Sequence, residues 1–197
     1  TDCIVQMNNS GSNGVINLYG ATGTIKDMTI KNCTFYNLVK NSSAYFIRYQ
    51  NNSQPWKYFG KSDNTSTHII INNTFCKTFS NKDFGNNIPN DKTSITQKVE
   101  YNIFYDVYRL YQYLQSNNKK STVGNTIWGV DGGTPNGNDT GGRKDDNGNP
   151  FATLEDPEFV GPFLQELDLS QINGGVNFEP KGAEAVKNKS GDPRWYK

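Results

Sequence analysis

Residues 32–37 read Asn-Cys-Thr-Phe-Tyr-Asn, and close variants return as Asn-Asn-Thr-Phe-Cys-Lys over 72–77, Tyr-Asn-Ile-Phe-Tyr-Asp over 101–106 and Gly-Asn-Thr-Ile-Trp-Gly over 124–129. Placing Phe35, Phe75, Phe104 and Ile127 in one column leaves intervals that shorten from each copy to the next. Unequal intervals do not suit a rigid helical repeat. They suit a stack of turns whose loops differ in length, because insertions fall outside the stacked core. Aligning instead on Asn32, Asn72, Asn102 and Asn125 shifts the last two copies by one residue. In a strand that slip exchanges inside for outside. The phenylalanine column is preferred because the residues just before it then read Thr34, Thr74, Ile103 and Thr126.

A second element recurs between the copies. "VINLYG" (15–20), "YFIRYQNN" (45–52) and "YQYLQSNN" (111–118) are rich in β-branched and aromatic residues and close on Gly or Asn, which marks strands ending in turns. Further strands lead into the bends, as in "IKDMTIKNCTF" and "STHIIINNTF". A 3.6-residue apolar period is confined to "GAEAVKN" near the end. Short strands, matched asparagines and almost no helix predict an all-β parallel β-helix. Stacking then sets equivalent residues about 4.8 Å apart. Phe35, Phe75, Phe104 and Ile127 are expected to form one buried column. Asn73, Asn102 and Asn125 are expected to form an amide ladder at the bend, each also tolerating the left-handed backbone of a sharp corner.

Composition narrows the function classes. In 197 residues there are 34% hydrophobic and 13% aromatic side chains, enough to fold as one substantial domain. The net charge is +1, with no basic block interleaved with aromatics, so no nucleic-acid partner is expected. Cys3, Cys33 and Cys76 have no C-x-x-C spacing and only His68 to join them. No zinc site is expected, and the cysteines read as free, small core residues, with Cys3 and Cys33 on neighbouring turns. No apolar run is long enough to span a membrane. The opening "TDCIVQM" reads as mid-strand, so a preceding domain of the same chain is expected.

The turns resemble the right-handed parallel β-helix of the pectin-lyase-like superfamily. The ending, "EDPEFVGP" (155–162) with "SGDPRWYK" (190–197), resembles the C-terminal β-helix domains of Bacteroidetes surface proteins. That resemblance covers most of the chain from Cys3 onward, and its motifs are structural. It implies a secreted or surface protein associated with polysaccharide use, commonly tethered as a lipoprotein through an N-terminal region. It does not imply catalysis. The expected organisation is β-helix turns over 1–130, a polar Gly/Asn/Asp-rich connection over 131–150, and a C-terminal cap of the same domain over 151–197. Phe159, Phe163, Leu167 and Trp195 are expected to lie against the last turn, since the end of a stack exposes apolar surface and strand edges.

Two catalytic patterns of the resembled superfamily can be compared with the residues. The hydrolases carry Asn-x-Asp, Asp-Asp, Gly-His-Gly and Arg-x-Lys. Here His68 stands between Thr67 and Ile69, the Asp145–Asp146 pair lies in the polar connection, and Arg-x-Lys is missing. His68 reads as a core or rim residue. The lyases need acids that hold calcium against a uronate and an Arg or Lys that removes the α-proton. Arg48, Arg109 and Asp106 are the available groups, and the plain alternative is an exposed strand arginine beside an acid. Asp139, Asp145, Asp146 and Asn147 offer hard oxygens for calcium, but without EF-hand spacing. Such loops also turn without metal, so no cofactor is assigned.

The aromatic signal is stronger. Trp56, Tyr58 and Phe59 fall inside the polar excursion "NNSQPWKYFGKSDNTS", and flat apolar faces suit sugar rings. Arg48, Tyr49, Trp56, Tyr58, Arg109 and Tyr111 form the candidate glycan-binding set, with Tyr113 on the same side if the strands stack. The competing structural reading folds Trp56 and Phe59 back over a neighbouring turn. A non-catalytic carbohydrate-binding or scaffold module, monomeric, is the favoured expectation. A polysaccharide lyase acting on uronate-containing glycans is the alternative, and a structural adhesin-like stalk is third.

Overall fold

The computed structural model describes residues 1–7, 14–18, 27–37, 45–49, 66–76, 84–86, 95–107, 110, 113, 119–129, 144–161 and 176–197. Among the described residues, numbered in chain order, thirteen strands form three sheets. The first sheet holds β1 (Ile4–Met7), β4 (Thr34–Asn37), β7 (Thr74–Cys76), β10 (Ile103–Tyr105), β12 (Thr126–Trp128) and β13 (Thr153–Leu154), side by side in that order. The second holds β2 (Gly14–Leu18), β5 (Tyr45–Tyr49) and β8 (Gly85–Asn86). The third holds β3 (Asp27–Lys31), β6 (Ser66–Ile71), β9 (Ile95–Glu100) and β11 (Lys119–Ser121). Every pair of neighbouring strands is parallel. From β1 to β9 the chain visits the three sheets in turn, three times over. Neighbours in a sheet are therefore far apart in sequence, as parallel pairing requires.

The phenylalanine register is the one formed. Phe35 pairs with Phe75, Phe75 with Phe104, and Phe104 with Ile127. Phe75, Phe104 and Ile127 are fully buried and Phe35 nearly so. Phe75 stacks almost face-parallel on Phe35 at 5.1 Å and on Phe104 at 5.2 Å between ring centres. Phe46 and Phe84, reaching in beside the second sheet, meet it edge-on at 5.1 and 5.2 Å. The third sheet contributes Met28, Ile70 and Val99 to the same core. His68 is buried on β6, between Met28 and Gln97 of the neighbouring strands.

The amide ladder forms as well. Asn73 Nδ2 donates to Asn102 Oδ1 at 3.0 Å and Asn102 Nδ2 to Asn125 Oδ1 at 3.1 Å. Each side-chain oxygen also accepts a backbone N–H from the turn before: Cys33 on Asn73, Asn73 on Asn102, Asn102 on Asn125. One part of the expectation is corrected. The left-handed backbone lies one residue earlier, at Asn32, Asn72, Tyr101 and Gly124, with φ of 55°, 54°, 54° and 66°. Turning and laddering are thus divided between adjacent positions. An amide that reaches along the stack needs its own backbone extended into the next strand, so the corner falls on its predecessor. At Gly124 a Cβ would stand 2.4 Å from the Tyr101 ring, so space favours glycine at this corner, whereas φ alone does not demand it, since Asn32, Asn72 and Tyr101 turn with nearly the same angle.

Replacing Asn102 by Ala is expected to cost about 3 kcal/mol, because it strips the acceptor from the Asn73 backbone N–H and removes donors to Ile70 O and Glu100 O, all inside the protein. Urea unfolding measures this. A loss under about 0.5 kcal/mol, the level of an ordinary surface substitution, would show the ladder to be ornamental.

The C-terminal segment departs from expectation. "GAEAVKN" does contain a helix, α1 (Ala183–Asn188), whose first N–H groups are capped by Glu155: its carboxylate accepts from Glu184 N at 2.8 Å and Ala185 N at 3.2 Å. Beyond α1 the chain does not fold over the last turn alone. Ser190 Oγ donates to Gly124 O, Gly191 N to Tyr101 O at 2.7 Å, and Asp192 N to Thr74 Oγ1 at 3.0 Å. Thr34 Oγ1 then donates to Asp192 Oδ2 at 2.8 Å, Trp195 Nε1 to Thr34 Oγ1 at 2.6 Å, and Arg194 to Asn32 O at 2.9 Å. The tail therefore crosses the first sheet in reverse, from the bend before β12 to the bend before β4.

Trp195, expected against the last turn, lies on β4 instead. The physical reason is a second apolar column. Tyr36, Cys76 and Tyr105 follow the buried phenylalanines on successive strands and form a cluster with Phe159, Val176, Phe178 and Trp195. Phe178 meets Tyr36 at 5.5 Å and Trp195 at 5.4 Å. With apolar residues on both faces, the first sheet needs a cover along its side. Phe163 and Leu167 lie outside the described residues.

Candidate functional site

Arg48 sits on β5, the middle strand of the second sheet, in register with Asn17 on β2 and Asn86 on β8. It is half-buried, and its guanidinium carbon stands 5.6 Å from the centre of the Tyr45 ring. That is cation–π distance. Sequence reasoning passed over Tyr45; the only signal for it was an aromatic opening the same strand. The alternation of β5 is incomplete, since both Phe46 and Ile47 are fully buried, which leaves Tyr45 and Arg48 as the partly exposed residues flanking that pair. Tyr49 ends β5, in register with Leu18. Trp56, Tyr58, Phe59, Arg109 and Tyr111 lie outside the described residues.

Tyr113 is corrected. It belongs to the core, buried to 1% exposure and edge-on to Phe84 at 5.7 Å, with its carbonyl accepting from Gln97 Nε2 at 2.8 Å. An aromatic-rich stretch without clean alternation does not reveal which of its rings turns inward. Asp106, weighed as a lyase acid, closes β10 with a left-handed backbone (φ 55°) and donates its N–H to Trp128 O at 2.7 Å. Its backbone performs a corner role, and its side chain is largely buried.

The polar connection is described from Lys144 onward. There Asp145 holds a tight turn: its Oδ1 accepts from Asn147 N and Asn149 N, both at 2.9 Å, and its Oδ2 from Asn149 Nδ2 at 3.1 Å. These bonds turn the carboxylate toward N–H donors, the usual device of an Asx turn. Burial by itself would raise this carboxyl; the N–H groups of Asn149, Asn147 and Thr122 outweigh it, and the group sits below its ordinary range. A folded value below the unfolded one means that the stabilisation is complete above the ordinary carboxylate range and is lost as pH falls through the lowered folded value. Amide exchange at Asn147 and Asn149, corrected for its intrinsic pH dependence, is expected to stay protected to a pH below the ordinary carboxylate range and to lose protection only under stronger acid. Loss of protection already at the ordinary Asp range contradicts this. Asp139 lies outside the described residues, and among those described no three His, Cys, Asp or Glu side chains gather in a metal-sized group.

The third sheet presents Thr29, Thr67 and Thr96 outward, with Lys98 paired to Glu100 at 3.3 Å and Ser121 Oγ donating to Glu100 at 2.5 Å. No helix among the described residues is long and apolar enough to cross a membrane. No family model, characterised protein or solved structure matches the chain in the comparisons made with it.

Proposed function

We propose that the chain is a non-catalytic glycan-binding module of a secreted or surface-tethered bacterial protein, built as a right-handed parallel β-helix. The fold reading is supported by the repeated first–second–third order in which the chain visits its sheets. The binding reading rests on the Arg48–Tyr45 pair in the second sheet, a cation held against an aromatic face, close in sequence to Trp56 and Tyr58. Aromatic planes take the C–H faces of sugar rings, and a guanidinium takes hydroxyls or a carboxylate with directed hydrogen bonds. The resemblance to polysaccharide-associated surface domains agrees with this chemistry, as a fold-level analogy.

A glycan array followed by isothermal titration tests the proposal. Arg48→Ala and Trp56→Ala are expected to weaken binding at least about tenfold each, the scale of losing one good contact, or about 1.4 kcal/mol. Affinity is expected to be the same with and without a chelator. No binding to acidic or neutral polysaccharides defeats the module reading, and unsaturated uronate products in an ultraviolet assay would replace it with the lyase.

A further inference from the structure

The polar connection carries an asparagine–glycine pair, Asn147–Gly148, inside the short loop closed by the antiparallel bridge between Lys144 and Pro150. Both residues of the pair are exposed, and a Cβ placed on Gly148 would meet nothing within 4 Å. A glycine nitrogen reaches the side-chain amide of the residue before it with least obstruction, because glycine has no side chain and the widest backbone freedom. Asn149 is equally exposed but precedes Pro150, whose nitrogen has no hydrogen to lose. The two asparagines therefore differ in reactivity while sharing one loop.

The same loop holds the reactive nitrogen back. Gly148 N donates to Asp145 O at 3.0 Å, and the N–H groups on either side of it, of Asn147 and Asn149, both donate to Asp145 Oδ1 at 2.9 Å. Three successive N–H groups thus turn toward one residue. Before Gly148 N can attack its neighbour it has to part from Asp145 O and lose the proton shared there.

We propose that Asn147 is a self-modification site, a deamidation gated by the Asp145 turn. With the turn open, Gly148 N gives its proton to a solvent base and bonds to Asn147 Cγ, and ammonia leaves with a proton from solvent. Water then opens the five-membered imide at one of its two carbonyls, giving aspartate or isoaspartate. No electrons are transferred, and water is the only co-reactant. Either product places a new carboxylate beside Asp145 and Asp146. Isoaspartate also routes the backbone through the former side chain, one carbon longer, which moves Asn149 N out of step with Asp145 Oδ1 and keeps the turn from reclosing as before.

The test is peptide mapping by mass spectrometry after incubation in mildly alkaline buffer, with the protein folded and in guanidinium chloride. In denaturant Asn147 is expected to convert to aspartate and isoaspartate while Asn149 stays an amide. In the folded protein conversion at Asn147 is expected to be at least about tenfold slower, the scale of one hydrogen bond to a charged group. Asp145→Ala removes the acceptor shared by Asn147 N and Asn149 N and is expected to recover most of that factor; Asp145→Asn, which keeps a side-chain oxygen, is expected to fall between. Folded conversion as fast as in denaturant, or an Asp145→Ala rate equal to that of the folded native protein, overturns the gate. No conversion of Asn147 in denaturant overturns the site. The comparison of folded with denatured native protein decides the matter even if Asp145→Ala fails to fold.

Discussion

Phe75→Ala is expected to destabilise the protein by about 3–5 kcal/mol, the range for removing a large aromatic side chain from a packed interior. Phe75 has no exposure and stands at the centre of a cross, with Phe35 and Phe104 stacked along the column and Phe46 and Phe84 edge-on from the side. Rings held by neighbours on two strands of the first sheet and from beside the second sheet cannot collapse into the void from one direction, which places the cost at the upper end. Phe35→Ala, at the thinner end of the column with 6% exposure, is expected to cost less. Chemical denaturation of the two variants gives both numbers; a Phe75→Ala loss smaller than that of Phe35→Ala contradicts the central role of Phe75.

The legible part of the fold was the part made of repeats. Phe35, Phe75, Phe104 and Ile127 are equivalent because each turn makes the same corner, and equivalence survives in the sequence whatever the loop lengths. The asparagine column was legible for the same reason. What the repeat did not separate was the division of labour at the corner, since Asn32 and Asn72 stand beside Cys33 and Asn73 and only the third and fourth copies, Tyr101–Asn102 and Gly124–Asn125, distinguish the turning residue from the laddering one. The candidate site was less legible. Arg48 was identifiable as a strand arginine, but its pairing with Tyr45 depends on Phe46 and Ile47 both turning inward, a break in alternation that no local pattern announces. Tyr113 was misplaced through the same ambiguity.

Truncation before Glu184 is expected to give the other large effect, and its character follows from where the tail runs. Removal of residues 184–197 takes away Asp192, which accepts from Thr34 and donates to Thr74, and Trp195, which covers the Tyr36–Phe178 contact. The Thr34 and Thr74 hydroxyls keep access to water once uncovered, so the main loss is apolar: Tyr36, Cys76 and Phe178 become exposed together, and an apolar patch along a sheet face favours association. A lower melting temperature and larger scattering are expected. An end cap would predict these as well, so hydrogen exchange has to discriminate. A lateral strap predicts that protection falls in β4 and β7, which the tail bonds directly, whereas an end cap predicts that it falls first in β12 and β13. Trp195→Ala is the milder variant, expected to loosen β4 and leave β12 protected because its indole bonds only Thr34 among the strands. An unchanged monomer with an unchanged melting temperature after truncation would show that the tail follows the sheet without supporting it, and that the second apolar cluster is stable on Phe159 and Phe178 alone.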